Sequence, residues 1–157
     1  MPACGKSTLG VVAAKMLCMD FLDLDLLLQR QIGTSLSKYI EDFGTADFLE
    51  AEADAIFSLD VENTIISTGG SAVLTERGAK KLSELGTMVY IRAPFELIEM
   101  RIGDIEKRGV AREEGQTLRD IYDSRCPIYE KYADIIVDVK GESIADTCRQ
   151  LVKRLED

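Results

Sequence analysis

Pro2-Ala3-Cys4-Gly5-Lys6-Ser7-Thr8 stands at the head of the chain and fits the second half of the phosphate-loop pattern G-x-x-x-x-G-K-[ST]. The pattern has a physical basis. A glycine-rich turn lets the backbone N–H groups of Ala3, Cys4 and Gly5 close around phosphate oxygens, and the helix that follows adds its positive end. On this reading Lys6 reaches the β- and γ-phosphates of a nucleotide such as ATP, Ser7 holds Mg2+, and Thr8 completes the cradle. With Gly5 as the second glycine of the pattern, the first falls one position before Met1, and the strand that feeds such a loop is absent. The sequence therefore reads as truncated, as started too late, or as degenerate.

A short motif recurs by chance, and an ordinary glycine turn before a helix is the alternative. The flanking sequence favours the phosphate loop. Leu9, Val12, Ala13, Met16 and Leu17 have the spacing of one buried helix face, and Phe21-Leu22-Asp23 follows as a short strand. Helices are expected over 6–18, 24–32, 35–43, 46–59, 74–84, from Pro94 to about 108, over 117–132, and from Ser143 to the end. Strands are expected over 20–23, 63–68, 87–92 and 135–139. Gly86 ends one helix, Pro94 starts another at its first turn, and Thr117 with Asp120 forms a capping-box pair. Pro127 is expected to kink or break its helix. Strands alternating with helices predict an α/β fold, a parallel sheet covered on both faces in three layers. Here it has four strands; the absent first strand would make five. Ligands in such sheets bind beyond the carboxyl ends of the strands. That singles out Asp23 and Asp25, Gly69-Gly70-Ser71, and Arg92.

Composition narrows the function. The 157 residues suit one domain, 46% are hydrophobic, and the net charge is −9. No basic stripe marks a nucleic-acid binder, and no apolar run is long enough to span a membrane. The four cysteines, Cys4, Cys18, Cys126 and Cys148, lack metal spacing and read as reduced thiols in a cytoplasmic protein. Cys4 reads as a small packing residue of the loop rather than a redox group. The absence of histidine removes imidazole bases. The expected partner is a small-molecule substrate, with no nucleic acid and no membrane, and the expected state is a monomer.

Several elements together resemble the shikimate kinase family, within the P-loop nucleoside-monophosphate-kinase-like group. They are P-A-C-G-K-S-T-L-G at 2–10, F-L-D-L-D at 21–25, F-L-E-A-E at 48–52, S-T-G-G-S at 67–71, R-G-V-A at 108–111 and S-R-C-P-I-Y-E-K-Y-A-D at 124–134. The resemblance spans nearly the whole chain. It implies one domain over 1–157, with acceptor-binding helices at about 24–60 and a lid at about 103–117. It implies ATP and Mg2+ as cofactors and transfer of a phosphoryl group to an alcohol. Lys6 and Arg108 would act on the transferring group, Asp23 would sit near the Mg2+ water shell, and Asp25 would orient the acceptor hydroxyl. Gly69 and Gly70 would bring backbone N–H groups to the acceptor, Arg125 would grip its carboxylate, and Arg101 would pack on adenine.

The departures concern the acceptor. Leu49 stands where the family has an arginine that helps bind the carboxylate of shikimate, Ser71 replaces the third glycine, and Gly109-Val110-Ala111 replaces the usual Pro-Leu-Leu. Losing one of two charge-assisted contacts is worth about 1.5–3 kcal/mol. Another small hydroxy acid such as homoserine is therefore an alternative acceptor. A degenerate nucleotide-binding protein without transfer activity is an alternative of another class.

Overall fold

Four strands of four residues each carry the architecture. They are β1 (Asp20–Asp23), β2 (Thr64–Ser67), β3 (Val89–Arg92) and β4 (Ile135–Asp138). The computed structural model describes residues 1–103, 105, 109–141 and 143–156. β1 pairs parallel with β2, placing Asp20 opposite Thr64 and Asp23 opposite Ser67. β3 pairs parallel with β4, placing Val89 opposite Ile135 and Arg92 opposite Asp138. Among the described residues these are two separate two-stranded sheets, whereas the sequence predicts one sheet of four strands. Among these residues no ladder joins β2 to β3, and a cavity of about 70 Å³ is bordered by Thr68 and Gly69 after β2, by Val89, Tyr90 and Ile91 of β3, and by Met1 and Tyr129 among others.

Helices cover the strands. α1 (Lys6–Leu17) packs against β1, β2 and α7 (Ile144–Glu156). Leu9 and Ala13 are buried as the spacing predicts, while Met16 is half exposed. Gly10 is required by a close approach: a Cβ there would lie 2.8 Å from the Phe21 ring. α7 buries Thr147, Cys148, Leu151 and Val152. Ser143 caps it by accepting from the Asp146 N–H at 3.2 Å.

α2 (Leu24–Ile32) starts at Asp23, whose side chain accepts from the Leu26 N–H, and ends at Gly33. α3 (Leu36–Phe57) joins the two helices expected over 35–43 and 46–59, and Gly44 breaks it with φ 87°. α4 (Glu76–Leu85) is capped by Thr75, and α5 (Phe95–Ile102) stops at Gly103, short of the limit near 108 expected from the sequence. α6 (Leu118–Tyr132) begins with the predicted Thr117–Asp120 capping box and runs on through Pro127. Its expected break is therefore absent. Leu24, Leu28, Phe48, Ile56, Ile98 and Ile121 are fully buried and form the heart of the core. No helix among the described residues is long and apolar enough to cross a membrane.

Gly78 lets α4 lie against the turn after β2. A Cβ there would lie 2.7 Å from the Ala72 carbonyl oxygen and 2.9 Å from the Thr75 hydroxyl. Alanine normally gains at most about 1 kcal/mol over glycine inside a helix. Here the nearest neighbour is backbone and cannot swing aside, so Gly78→Ala is expected to lower the urea midpoint. A midpoint equal to or above that of the parent would show that the contact is dispensable.

Candidate active site

The residues that follow β1 and β2 meet the loop 2–8 around one cavity of about 560 Å³. A volume of this order suits one or two small ligands. Pro2 through Thr8 line part of the cavity. Ala3 and Gly5 take positive φ values of 58° and 98°, which curl this segment before α1. The first N–H groups of a helix have no intrahelical partner, and among the described residues no side chain caps α1. Those amides and the helix dipole therefore favour an anion at this end. Lys6 adds a positive charge there, its Nζ lying 3.5 Å from the Met1 carbonyl oxygen.

Ser7 ties the loop to the strand ends. Its hydroxyl donates to Asp23 Oδ2 at 2.8 Å and lies 3.2 Å from the Ser67 hydroxyl. Asp23 Oδ1 accepts from the Leu26 N–H at 3.2 Å, so the carboxylate is held from both sides. The parallel register that sets Asp23 opposite Ser67 brings these oxygens together.

Asp25, Phe48, Gly69, Gly70, Ser71 and Arg125 also line the cavity. Burial raises the Asp25 carboxyl above the usual range; the Lys6 charge opposes this shift and Asp23 adds to it. Arg125 is buried and donates from Nη2 to the Ala111 carbonyl. The Tyr129 hydroxyl, one helical turn on, donates to the Gly70 carbonyl and fixes the glycine turn from the side of α6. Glu52 lies just behind that turn, buried, with its carboxyl pushed up to about 7 chiefly by burial.

Gly109, Val110 and Ala111 also line the cavity. Two contacts hold this segment against α3. The Thr45 hydroxyl donates to the Arg112 carbonyl at 2.9 Å, and a Cβ at Gly109 would lie 2.7 Å from the Ser37 nitrogen. Arg101, Val139, Ile144 and Thr147 complete the wall. Ile144, the first residue of α7, is exposed and faces this cavity.

The cavity thus gathers Ala3, Cys4, Gly5, Lys6, Ser7, Thr8, Asp25, Gly69, Gly70, Arg101 and Arg125, with Asp23 joined at its edge through Ser7. Arg108 lies outside the described residues. Arg92, also singled out after its strand, is bound elsewhere: it donates to Asp138 at 2.6 Å and to Glu130 at 3.2 Å. Leu49 packs partly buried against the core. Sequence reasoning assigned no site role to Ser67, Tyr129 or Glu52. Glu52 had a signal, a carboxylate at helical spacing from Phe48 and Leu49.

The family model for shikimate kinase matches residues 2–156. The chain belongs to the shikimate kinase family. A shikimate kinase from Clostridium botulinum is 31% identical, over 98% of this chain and 93% of that protein. The solved structure titled as the shikimate kinase of Acinetobacter baumannii in complex with shikimate superposes with a TM-score of 0.89 at 25% identity, covering 98% of this chain and 88% of that one. The shikimate kinase of Aquifex aeolicus gives a TM-score of 0.85 at 29% identity, covering 99% and 92%. Shikimate kinases are phosphotransferases that act on a hydroxyl group, and kinases of this kind use ATP.

Proposed function

We propose that this protein is a shikimate kinase, transferring the γ-phosphoryl group of ATP to a shikimate hydroxyl to give ADP and shikimate 3-phosphate. The observation that carries this reading is a cavity whose lining brings two chemistries together. It offers the start of α1 and Lys6 to phosphates, and Asp25, the Gly69–Gly70 turn and Arg125 to a hydroxy acid. The distance between nucleophile and donor is then set by the fold, which is most of what phosphoryl transfer asks of a protein.

In this reading the amides of residues 3–8 and the Lys6 ammonium hold the donor phosphates. The oxygens of Ser7, Asp23 and Ser67 fit a hard cation. Mg2+ held by Ser7, with Asp23 ordering its waters, would neutralise phosphate charge. Asp25 accepts a hydrogen bond from the acceptor hydroxyl and draws its proton away as the new bond forms. Its burial favours the protonated state that results. Arg125 faces the acceptor carboxylate as a planar donor. Arg101 packs on the base of the nucleotide. Helices over about 24–60 form the acceptor side, and the region of about 103–117 serves as lid. The reaction takes place in the cytoplasm, where the four free cysteines stay reduced, and the chain acts as a monomer.

Leu49 favours a second reading with the same mechanism and a different acceptor, a smaller hydroxy acid such as homoserine. It removes one cation from the family's carboxylate site and leaves Arg125 as the buried arginine of the acceptor side.

Two outcomes test these assignments. Lys6→Ala is expected to weaken MgADP binding by about ten- to a hundredfold, the worth of one charge-assisted contact, and to abolish turnover. Calorimetric titration of a variant with unchanged circular dichroism checks it, and turnover equal to that of the parent would overturn the loop assignment. Leu49→Arg is expected to lower the KM for shikimate by about tenfold or more, while Arg125→Ala raises it. Steady-state comparison with shikimate and homoserine separates the two acceptors. A parent enzyme that prefers homoserine would move the function to the second reading.

A further inference from the structure

Glu52 poses a chemical problem that the transfer reaction does not use. It is 2% exposed, and its Oε1 is the buried side-chain polar atom without a hydrogen-bond partner among the described residues. The groups facing it come from four elements. They are Asp25 of α2, Arg125 of α6, Lys6 of α1, and Ser71 after β2, whose side chain is hydrogen-bonded to the Glu52 carboxyl. Leu49, nearly one turn earlier on α3, brings no charge to meet it.

The geometry around Gly69 identifies the remaining neighbour. A Cβ at that position would lie 2.5 Å from Glu52 Oε1 and 2.8 Å from Asp25 Oδ1. The two carboxyl oxygens therefore converge on one spot that only the missing side chain of glycine leaves open. Two ionised carboxylates at such a spot repel, and a buried one without a partner is strongly disfavoured. A neutral acid removes the repulsion and gains a donor.

We propose that Glu52 is a positioning residue for Asp25: anchored by Ser71, it presents its protonated oxygen past Gly69 to the Asp25 carboxylate and fixes that carboxylate towards the acceptor hydroxyl. Burial supports the neutral form by raising the Glu52 carboxyl from 4.5 to about 7; Ser71, Arg125 and Lys6 oppose this shift and Asp25 reinforces it. The inference rests on the acceptor role given to Asp25 above.

The sign of the pH dependence follows. Below about 7 Glu52 keeps its proton and holds Asp25. Above that value it ionises, the donor is lost, and a second negative charge stands beside Asp25. Turnover is therefore expected to fall on the alkaline side. The same shift acts on folding: stability from the neutral form is full below pH 4.5 and is lost as the pH rises through about 7.

The experiment compares the full chain with Glu52→Gln and Glu52→Ala. The glutamine keeps volume and a donor without titrating. It should retain kcat for shikimate at pH 6.5 within about threefold, and lack both the alkaline fall in kcat and the fall in melting temperature between pH 5 and 8. The alanine should lose about tenfold or more in kcat with the KM for MgATP unchanged. Parallel pH profiles of parent and Glu52→Gln, or parental kcat in Glu52→Ala, would overturn the proposal. A double-mutant cycle of Asp25→Asn and Glu52→Gln in melting temperature at pH 6 needs no acceptor. Non-additive shifts support the contact, and additive shifts overturn it. Lack of shikimate turnover in the parent would sink the acceptor reading instead, leaving the cycle to decide the pairing.

Discussion

The hydrogen bond from the Ser7 hydroxyl to Asp23 joins the parts on which the site depends. Asp23 ends β1, caps α2 through the Leu26 N–H, and receives Ser7 from the first turn of α1. One carboxylate thus fixes the direction of two helices against the end of a strand. Asp25 follows two residues later in the first turn of α2, so its place relative to the phosphate loop is set by the same contact. Ser67 opposes Asp23 across the parallel ladder and carries the constraint to the glycine turn that follows β2.

Charge is distributed unevenly. The chain carries a net charge of −9, yet Lys6, Arg101 and Arg125 all face the cavity. Most of the ion pairs lie at the surface. Lys38–Asp42 and Arg119–Asp123 are exposed pairs one helical turn apart and contribute little to stability. Arg92 joins β3 to β4 through Asp138 on a half-exposed surface. Arg125 behaves differently because it is buried. It spends part of its donor capacity on the Ala111 carbonyl, which links residues 109–111 to α6.

Local signals were legible where the deciding forces are local. The span 20–23 of β1 and the Thr117–Asp120 capping box read directly because each is written within a few residues. The phosphate loop and the residues after the strands led to one cavity for the same reason: a parallel α/β unit puts such residues at one edge. Other features depend on partners distant in sequence. Ile144 has the spacing of a buried residue, but it faces the cavity rather than the core. Arg92 follows its strand as the site residues do, but Asp138 stands opposite it in register and captures it. Glu52 acquires meaning only once Gly69 and Asp25 are placed against it.

Gly44 divides α3 into arms that serve different masters. The residues before it and Thr45 just after it hold residues 109–112, through the approach of Gly109 to Leu36 and Ser37 and the bond from Thr45 to Arg112. The later arm carries Phe48 into the cavity wall and Glu52 behind the Gly69–Gly70 turn. The break is open, with no atom near the place a side chain would take and a backbone angle that glycine adopts without strain. Bending is cheapest there. The arm beside residues 109–112 and the arm beside the Gly69 turn are therefore joined through one residue that has no side chain to resist a change of angle.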